Sequence, residues 1–231
     1  MYLLTETASP FALERWAAFF ANFGQFAKGF FYTLGISIGA LIVALLGLIF
    51  GAMSSTHNKV LRGISRVYVE IFQNTPLLVQ FVVVFYGISI LTDGHVMIPI
   101  SLTAILCVGV YTGAYISEII RTGIEAVPKG QTEAALSQGF TYADTMRIII
   151  LPQAVRTILP PLTNQVVNLI KNTSTVAIIS GADIMFTAKA WAYDTTNYVP
   201  AFAGAAFLYF IMCFPLATWA RRKEEENKKA Y

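Results

Sequence analysis

Long stretches without a charged residue constrain this chain more than any other feature. Four windows contain no Asp, Glu, Lys or Arg, and a fifth is interrupted only by Lys171; the five are 29–56, 71–92, 96–117, 157–182 and 195–220. Each exceeds the roughly 20 residues that a helix needs to cross a bilayer. Charged residues make up only 13% of the 231-residue chain, against about 25% in soluble domains. The sequence therefore predicts an all-α membrane protein with five transmembrane helices.

The basic residues predict how these helices are oriented. Lys and Arg are enriched in the cytoplasmic loops of membrane proteins. In this chain they cluster after the first window, after the third window and at the C-terminus, and the other connecting segments hold few. The three clusters are Lys59, Arg62 and Arg66; Arg121, Lys129, Arg147 and Arg156; and Arg221, Arg222, Lys223, Lys228 and Lys229. We therefore expect the N-terminus outside and the C-terminus inside.

The segment between the third and fourth windows is the one long cytoplasmic loop, about residues 121–152. A helix is expected to start in it near Gln131 or Thr132, with Thr132 as its cap. Gly139 is expected to end or bend that helix, since glycine commonly terminates helices. Taken alone, these features are typical of a solvated connecting hairpin.

The same loop carries a spaced motif. The pattern EAA-x3-G-x9-I-x-LP runs from Glu133 to Pro152 without a mismatch. It resembles the signature loop of the permease subunits of bacterial ATP-binding-cassette (ABC) importers. Because several fixed positions span twenty residues, the match is far more specific than a single short motif.

A second stretch resembles the polar amino-acid branch of that family. The sequence VEIFQNTPLLVQ, residues 69–80, is similar to the pattern VE-x-F-R-G-TPLLVQ at the start of a core helix in these permeases. Gln73 and Asn74 stand where relatives have Arg-Gly. The segments AYISEIIRTGIEAVPKGQTEAA and NQVVNLIKNTS are also similar, so the resemblance covers roughly residues 64–180. The chain resembles a permease subunit of the histidine/glutamine/glutamate group of importers.

This resemblance implies a type I ABC importer permease fold in a multi-pass protein of the bacterial plasma (inner) membrane. It divides the chain into an N-terminal interfacial segment (1–28), a transmembrane permease domain (29–220) and a charged cytoplasmic tail (221–231). The coupling-helix loop lies between the third and fourth spans.

The resemblance also implies a coupling role and a set of partners. The loop helix is expected to dock into a cytoplasmic ATPase through Glu133, Ala134, Ala135, Leu136 and Gly139. The expected partners are a dimer of ATP-binding cassette subunits, a second permease subunit (the same or a paralogous chain), an extracytoplasmic amino-acid-binding protein and membrane lipid, without nucleic acid. The sequence has no G-x-x-x-x-G-K-[ST] phosphate loop. ATP and Mg²⁺ are therefore expected on the partner ATPase, and this chain is expected to bind no cofactor or metal and to catalyse no reaction.

Polar residues inside the predicted spans are the candidates for the substrate path. A cation within a span is costly and marks a functional site unless its side chain reaches the interface. Lys171 shares a helix face with Asn164 and Asn168, which is typical either of a path lining or of a helix–helix contact. Glu118 is expected to pair with Arg121 at the cytoplasmic end of the third span. The candidates are Asn74, Thr75, Glu118, Asn164, Asn168, Lys171, Asn172 and Ser174.

Two expectations, one about the substrate and one about an alternative function, rest on acidic residues that the chain lacks. Relatives often have Lys-Asp-Thr-Ser where this chain has Lys171-Asn172-Thr173-Ser174, and losing that acid favours glutamate, glutamine or aspartate over a cationic amino acid. The alternative is an ATP-independent secondary transporter or channel for small polar solutes, which needs acids or histidines inside its spans. No Asp or Glu falls within the five windows. A membrane scaffold, the third class, would not need the polar residues of the fourth window.

Overall fold

The computed structural model describes residues 9–56 and 58–229. Within those ranges the chain folds into helices joined by short connections, with no strand, so the predicted all-α class is confirmed for them. The α-helices are α1 (Leu13–Ala21), α2 (Phe23–Ala44), α3 (Leu46–Ser54), α4 (Lys59–Gln73), α5 (Leu77–Val82), α6 (Ile88–Leu91), α7 (Ile100–Glu125), α8 (Lys129–Ser137), α9 (Tyr142–Asp144), α10 (Leu151–Asn172), α11 (Ile184–Thr195) and α12 (Tyr198–Lys229). Two π-helical segments, Val83–Gly87 and Thr145–Ile150, join their neighbouring helices without interruption, and one 3-10 segment, Thr173–Ile179, directly continues α10.

Three of these helical stretches are long and apolar enough to cross a membrane. They are the α2–α3 run Phe23–Ser54, helix α7 and the part of α12 over Tyr198–Lys223. They coincide with the first, third and last charge-free windows. A fourth crossing results if α4 and the run Leu77–Leu91 form one bent span. On length and apolarity alone, the described residues thus give three or four crossings where the sequence predicts five.

The first crossing begins earlier than predicted. It starts at Phe23, so the last residues of the predicted interfacial segment 1–28 belong to the crossing helix. Helix α1 precedes it as a separate short helix. Residues 1–8 of that segment, and the last two residues of the predicted tail, lie outside the described residues.

The second predicted span contains a sharp corner instead of a straight helix. Helix α4 ends at Gln73, α5 begins at Leu77, and the two axes differ by 97°. Pro76 precedes the first turn of α5, where its missing N–H leaves no helical hydrogen bond unmade. By length and apolarity the two helices qualify as a crossing only together, as one bent span, of which the run Leu77–Leu91 is about 22 Å long at 1.5 Å per residue.

The fourth predicted span corresponds to α10 and the 3-10 segment that continues it. Helix α10 starts at Leu151, six residues before the window 157–182, and contains Pro160 and Pro161. One side of α10 is polar along much of its length, and this lowers its average apolarity below that of the other crossing helices. Length and composition therefore leave it out of the set of membrane-crossing helices.

Helix α7 is the centre of the bundle and packs against α2, α3, α4, α5 and α10. Glycines allow its closest contacts. A Cβ at Gly47 of α3 would overlap the backbone carbonyl of Gly113 in α7, and a Cβ at Gly109 of α7 would lie 2.8 Å from the carbonyl oxygen of Ala40 in α2. Small residues of this kind let two backbones approach within a membrane, where packing drives helix association.

Two apolar clusters fill the bundle. One contains aromatic rings of α1, α2 and α11: Phe19 meets Phe26 edge-on with centroids 4.8 Å apart, and Phe19 meets Trp191 at 6.0 Å. The other cluster lies between α2, α5, α7 and the end of α10, and includes Phe81 and Val108. The first cluster fixes α1 against the bundle, and the second fixes the crossing run after the corner.

Candidate functional site

Helix α8 contains the EAA residues of the motif, and its surface is mostly uncovered. Ala135 alone among its residues is buried, with 3% of its surface exposed. Glu133, Ala134 and Leu136 are exposed, and Leu136 leaves 46% of an apolar side chain uncovered. The helix packs through its buried side onto the π-helical segment Thr145–Ile150. The arrangement presents a small, rigid, partly apolar surface away from the bundle.

The end of α8 is fixed by a glycine that no other residue replaces without strain. Gly139 has φ +87°, its N–H donates to the carbonyl of Leu136 at 3.0 Å, and the N–H of Phe140 donates to the carbonyl of Ala135 at 3.1 Å. This pair of bonds is the Schellman motif, which satisfies the last carbonyls of a helix. The motif's EAA and its glycine therefore belong to one structural unit.

The start of α8 differs from the sequence prediction. The helix begins at Lys129, with Pro128 before its first turn and without a side-chain cap. The prediction of a start near Gln131 or Thr132, capped by Thr132, is wrong. Proline at 128 already sets the backbone angle that a helix start requires, so no cap from Thr132 is needed.

The following helix starts with a cap. The hydroxyl of Thr141 accepts a hydrogen bond from the backbone N–H of Asp144 at 3.2 Å and donates one to the Asp144 carboxylate at 2.6 Å. The cap satisfies the backbone N–H of Asp144, and the Asp144 carboxylate in the first turn interacts favourably with the helix dipole. From Tyr142 the chain continues as a helix through Pro152 to Asn172.

Helix α10 carries an exposed polar stripe. At 100° per residue its members lie within an arc of about 60°; they are Gln153, Thr157, Asn164, Asn168 and Lys171, all exposed. Val155 and Leu159 are exposed on the opposite side of the helix. Such a helix can turn its apolar exposed side to lipid and its polar exposed side to water or to protein.

The Lys171 end of the stripe borders a cavity of about 320 Å³. Lys171 and Ser174 line it together with Tyr209 of α12 and apolar residues of α11 and α12. The Ser174 hydroxyl donates to the carbonyl of Lys171 at 2.8 Å. Asn172 is half-buried beside them. Two predicted path residues thus share a cavity that contains one cation and two hydroxyl groups.

Two other candidates line a different cavity, of about 430 Å³, between α3, α4 and α7. Asn74 lies at its edge and donates to the Glu70 carboxylate at 3.0 Å. Glu118 accepts from the Nε of Arg121 at 2.9 Å, so the predicted pairing is confirmed, and Arg121 also binds Glu125. Of the eight predicted path residues, two therefore line one of these cavities and two line the other.

Thr75 belongs to the corner between α4 and α5 and to neither cavity. Its hydroxyl donates to the carbonyl of Ile71 at 2.8 Å and accepts from the side-chain amide of Gln80 at 2.9 Å. Its polar atoms are therefore engaged in holding the backbone. Gln80 was not among the candidates predicted from the sequence, although it is the last residue of the TPLLVQ stretch that resembles the family pattern.

A buried acid also lies outside the sequence predictions. Asp183, 1% exposed, is the first charged residue after the window 157–182, and it lies inside the bundle. Its carboxylate accepts from the backbone N–H groups of Met185 and Phe186 and from the hydroxyl of Tyr209 at 3.0 Å. Thr33 of α2 accepts from the N–H of Ile184 at 3.1 Å. Asp183 therefore caps α11 and joins it to α12, a structural role that its sequence context did not predict.

Comparison with known proteins gives a consistent family. The model of the family described as "Binding-protein-dependent transport system inner membrane component" matches residues 44–224. The "Probable glutamine ABC transporter permease protein GlnM" of Bacillus subtilis is 37% identical over 92% of this chain and 97% of its own length. The "Glutamate/aspartate import permease protein GltJ" of Escherichia coli K12 is 33% identical over 82% of this chain and 85% of its own.

A solved structure matches the fold. The crystal structure of an amino acid ABC transporter with histidines contains a chain that superposes with a TM-score of 0.84 at 31% identity, over 91% of this chain and 98% of that one. This chain belongs to the family of inner membrane permease components of binding-protein-dependent, ABC-type transport systems.

Proposed function

We propose that this chain is the membrane-spanning subunit of an ATP-driven importer and that it forms, with a second permease subunit, the path for a polar amino acid. Helix α8 carries the proposal. It presents Glu133, Ala134 and Leu136 on an exposed surface while Ala135 and the Gly139 turn fix it to the bundle. A helix held in this way transmits a force applied from the cytoplasm, and we assign that force to a dimer of ATP-binding cassette subunits that hold ATP and Mg²⁺.

The polar stripe of α10 is assigned to the transport path. Gln153, Asn164, Asn168 and Lys171 leave amide and ammonium groups exposed on one side of a helix that is apolar on another exposed side. Burying that stripe in lipid is unfavourable, so a second permease subunit and the substrate are its natural neighbours. A path between two subunits also explains why the path candidates line two separate cavities, since each subunit lines part of the path.

The proposed substrate is glutamine, glutamate or aspartate, delivered by an extracytoplasmic binding protein. Lys171 supplies a positive charge, Asn172 a neutral amide in the position where relatives often have an acid, and Tyr209 and Ser174 supply hydroxyl groups. This set suits an acidic or amide side chain better than a cationic one, because an ammonium ligand near Lys171 lacks a counter-ion. The two relatives named as a probable glutamine permease and a glutamate/aspartate permease support the same class of substrate.

The topology completes the proposal. We assign five crossings to the chain, with α10 as the fourth and its polar stripe shielded by protein, and with them an N-terminus outside and α8 in the cytoplasm. The basic residues of the α3–α4 connection, of the loop around α8 and of the tail support this orientation. Residues 29–220 then form the permease domain and residues 221–231 a charged cytoplasmic tail.

Reconstitution tests the proposal. The chain is co-purified with its partners from native membranes, placed in proteoliposomes and assayed for uptake of labelled glutamine, glutamate and aspartate with and without internal ATP. We expect uptake that needs both ATP hydrolysis and the binding protein. Flux that does not need ATP would instead support a secondary transporter or channel, and an absence of any flux from an intact complex would support a scaffold.

A charge-reversal pair isolates the role of α8. Glu133→Lys changes an exposed acid on the proposed docking surface, and Glu14→Lys changes an exposed acid on α1. We expect the first to reduce ATP-driven uptake at least tenfold without reducing insertion or yield, and the second to leave uptake unchanged. Equal uptake in the two variants contradicts the assignment of α8 as the coupling surface.

A further inference from the structure

Helix α4 has an apolar face that no other part of the described chain covers. The face consists of Val60, Ile64, Val67 and Ile71, which lie within an arc of about 60° at 100° per residue, and each is at least half exposed. Val67, in the middle of the row, leaves 58% of its surface uncovered. The row runs the whole length of α4, in contrast to the scattered single apolar residues of an ordinary protein surface.

The side of α4 turned away from this row is charged. Lys59, Arg62, Arg66 and Glu70 lie there and are exposed. Arg66 and Glu70 form a loose ion pair at 3.7 Å. Within residues 9–56 and 58–229, the side chains of Lys59 and Arg62 have no hydrogen-bond or ion-pair partner. The helix is therefore amphipathic, with an unpaired positive charge at its N-terminal half.

A third side of α4 fixes the helix against the bundle and prevents the apolar row from turning inward. The Ser65 hydroxyl donates to the carbonyl of Phe50 at 2.7 Å, and the Tyr68 hydroxyl donates to the carbonyl of Val110 at 2.7 Å. The rings of Phe50 and Tyr68 lie 4.3 Å apart. Ser65 is fully buried. The exposure of the apolar row is thus a property of the folded chain.

The corner at 74–76 sets the direction of α4 relative to the membrane. The axes of α4 and of the apolar run Leu77–Leu91 differ by 97°, so with that run along the bilayer normal, α4 lies nearly parallel to the membrane plane. We propose that α4 is an interfacial helix, whose apolar row inserts among the acyl chains of the cytoplasmic leaflet while Lys59 and Arg62 bind anionic phospholipid headgroups. The choice of leaflet rests on the orientation proposed above; the membrane contact itself does not rest on the transported substrate.

Lipid is the partner that fits both the apolar row and the charged side of α4. An amphipathic helix with basic residues on its polar face and branched aliphatic residues on the other lies in the plane of the interface. A second copy of the chain would cover the apolar row but would leave Lys59 and Arg62 without a countercharge. Anionic headgroups supply that charge at the membrane surface, where the basic side chains lie. Each basic residue is expected to change the preference for anionic over neutral lipid about fivefold.

Depth measurements on the assembled transporter in vesicles of phosphatidylcholine and phosphatidylglycerol test the contact. Single cysteines at Val67 and Arg62 carry a nitroxide, in a background in which Cys107 and Cys213 are alanine. Phe31, exposed on the crossing helix α2, is the lipid control, and Glu225, exposed near the C-terminus, is the water control. We expect Val67 to collide with oxygen as Phe31 does, and Arg62 to collide with a soluble nickel chelate as Glu225 does. Val67 shielded from both reagents indicates a protein partner, and Val67 open to nickel indicates water; either result overturns the proposal.

Headgroup selectivity is measured with a bimane label at Val60→Cys, next to the unpaired cations. Brominated phosphatidylglycerol is expected to quench it more than brominated phosphatidylcholine does. Arg62→Gln should lower that preference about fivefold, whereas Lys189→Gln, an exposed cation on α11, should leave it unchanged. Equal quenching by the two lipids in the unmodified transporter, or an unchanged preference in Arg62→Gln, overturns the anionic-lipid assignment. Both readouts are independent of transport, so failure of the proposed importer function does not alter them.

Discussion

The side-chain amide of Gln80 donates hydrogen bonds to two oxygen atoms of Thr75, the carbonyl at 3.1 Å and the hydroxyl at 2.9 Å. The same amide also reaches the carbonyl of Phe72 at 3.2 Å. These contacts connect the first turn of α5 to the last turn of α4 across the corner, where Pro76 has no N–H to donate. One partly buried side chain therefore satisfies the backbone carbonyls that the corner leaves without helical partners.

Replacing Gln80 with leucine is expected to destabilise the corner. The carbonyls of Phe72 and Thr75 would lose their donor while they remain inside the protein, which costs about 1–3 kcal/mol for a buried group left unpaired. Thermal unfolding of the purified chain in nanodiscs should show a lower Tm for Gln80→Leu. Gln25→Leu is the control, because Gln25 is exposed and makes a single long contact of 3.5 Å with Asn22. Equal Tm values for the two variants would show that packing alone holds the corner.

Glycine at 139 is expected to be required for its backbone angle alone. A Cβ at Gly139 would meet no atom within 4 Å, and the same holds for Gly130 at the other end of α8, but only Gly139 has a positive φ of +87°. Alanine in the left-handed region costs roughly 1–2 kcal/mol. We therefore expect Gly139→Ala to disturb the end of α8 and to reduce ATP-driven uptake, while Gly130→Ala preserves it. Uptake and ATP hydrolysis measured together on both variants check this, and full coupling in Gly139→Ala would contradict it.

Lys171 is expected to bind substrate through its charge. In the reconstituted transporter, Lys171→Gln should raise the KM for the transported amino acid about tenfold, the loss of one charge-assisted hydrogen bond. Lys171→Arg should recover part of the affinity, because it restores the charge with a different geometry. The matched control is Lys189→Gln on α11. A lysine that only extends to the membrane surface would give the same KM in Lys171→Gln and in the control.

The contact between Gly47 and Gly113 is expected to limit the stability of the bundle. Gly47→Ala places a Cβ against the carbonyl of Gly113, and overpacking of this kind costs about 1–3 kcal/mol. Gly35→Ala in the same apolar run meets nothing within 4 Å. Unfolding in nanodiscs should give a lower Tm for the first variant and an unchanged or higher one for the second, as alanine is the better helix former. Identical stabilities would show that α3 moves away from α7 without cost.

The parts of the fold that the sequence predicts are those encoded locally. Windows without charge predict α2–α3, α7 and α12, because a crossing helix needs only length and apolarity. The turn at Gly139 is predicted because a glycine at a helix end has one common conformation. The pairing of Glu118 with Arg121 follows from their spacing on one helix. In each case the determining residues are close together in the chain.

The missed features depend on residues far apart in the chain. Pro76 indicates a disturbed helix but not an angle of 97°, which depends on Gln80 and on the packing of α4 against α7. Asp183 was not recognised as a buried residue because Tyr209, its partner, lies 26 positions away. Helix α10 lacks the apolarity of a span that lipid surrounds on all sides, and the neighbours that would shield its polar stripe are not encoded in its own sequence.

The continuity of helix from Tyr142 to Asn172 has a mechanical consequence. The π-helical segment against which α8 packs and the turn that carries Lys171 belong to one rod without a loop, about 40 Å apart at 1.5 Å per residue. A tilt of about 5° at the end near α8 then swings Lys171 sideways by about 3 Å, roughly one hydrogen-bond length. A small rotation at the end near α8 would therefore displace Lys171 by enough to make or break a hydrogen bond, less whatever bending Pro160 and Pro161 allow within the helix.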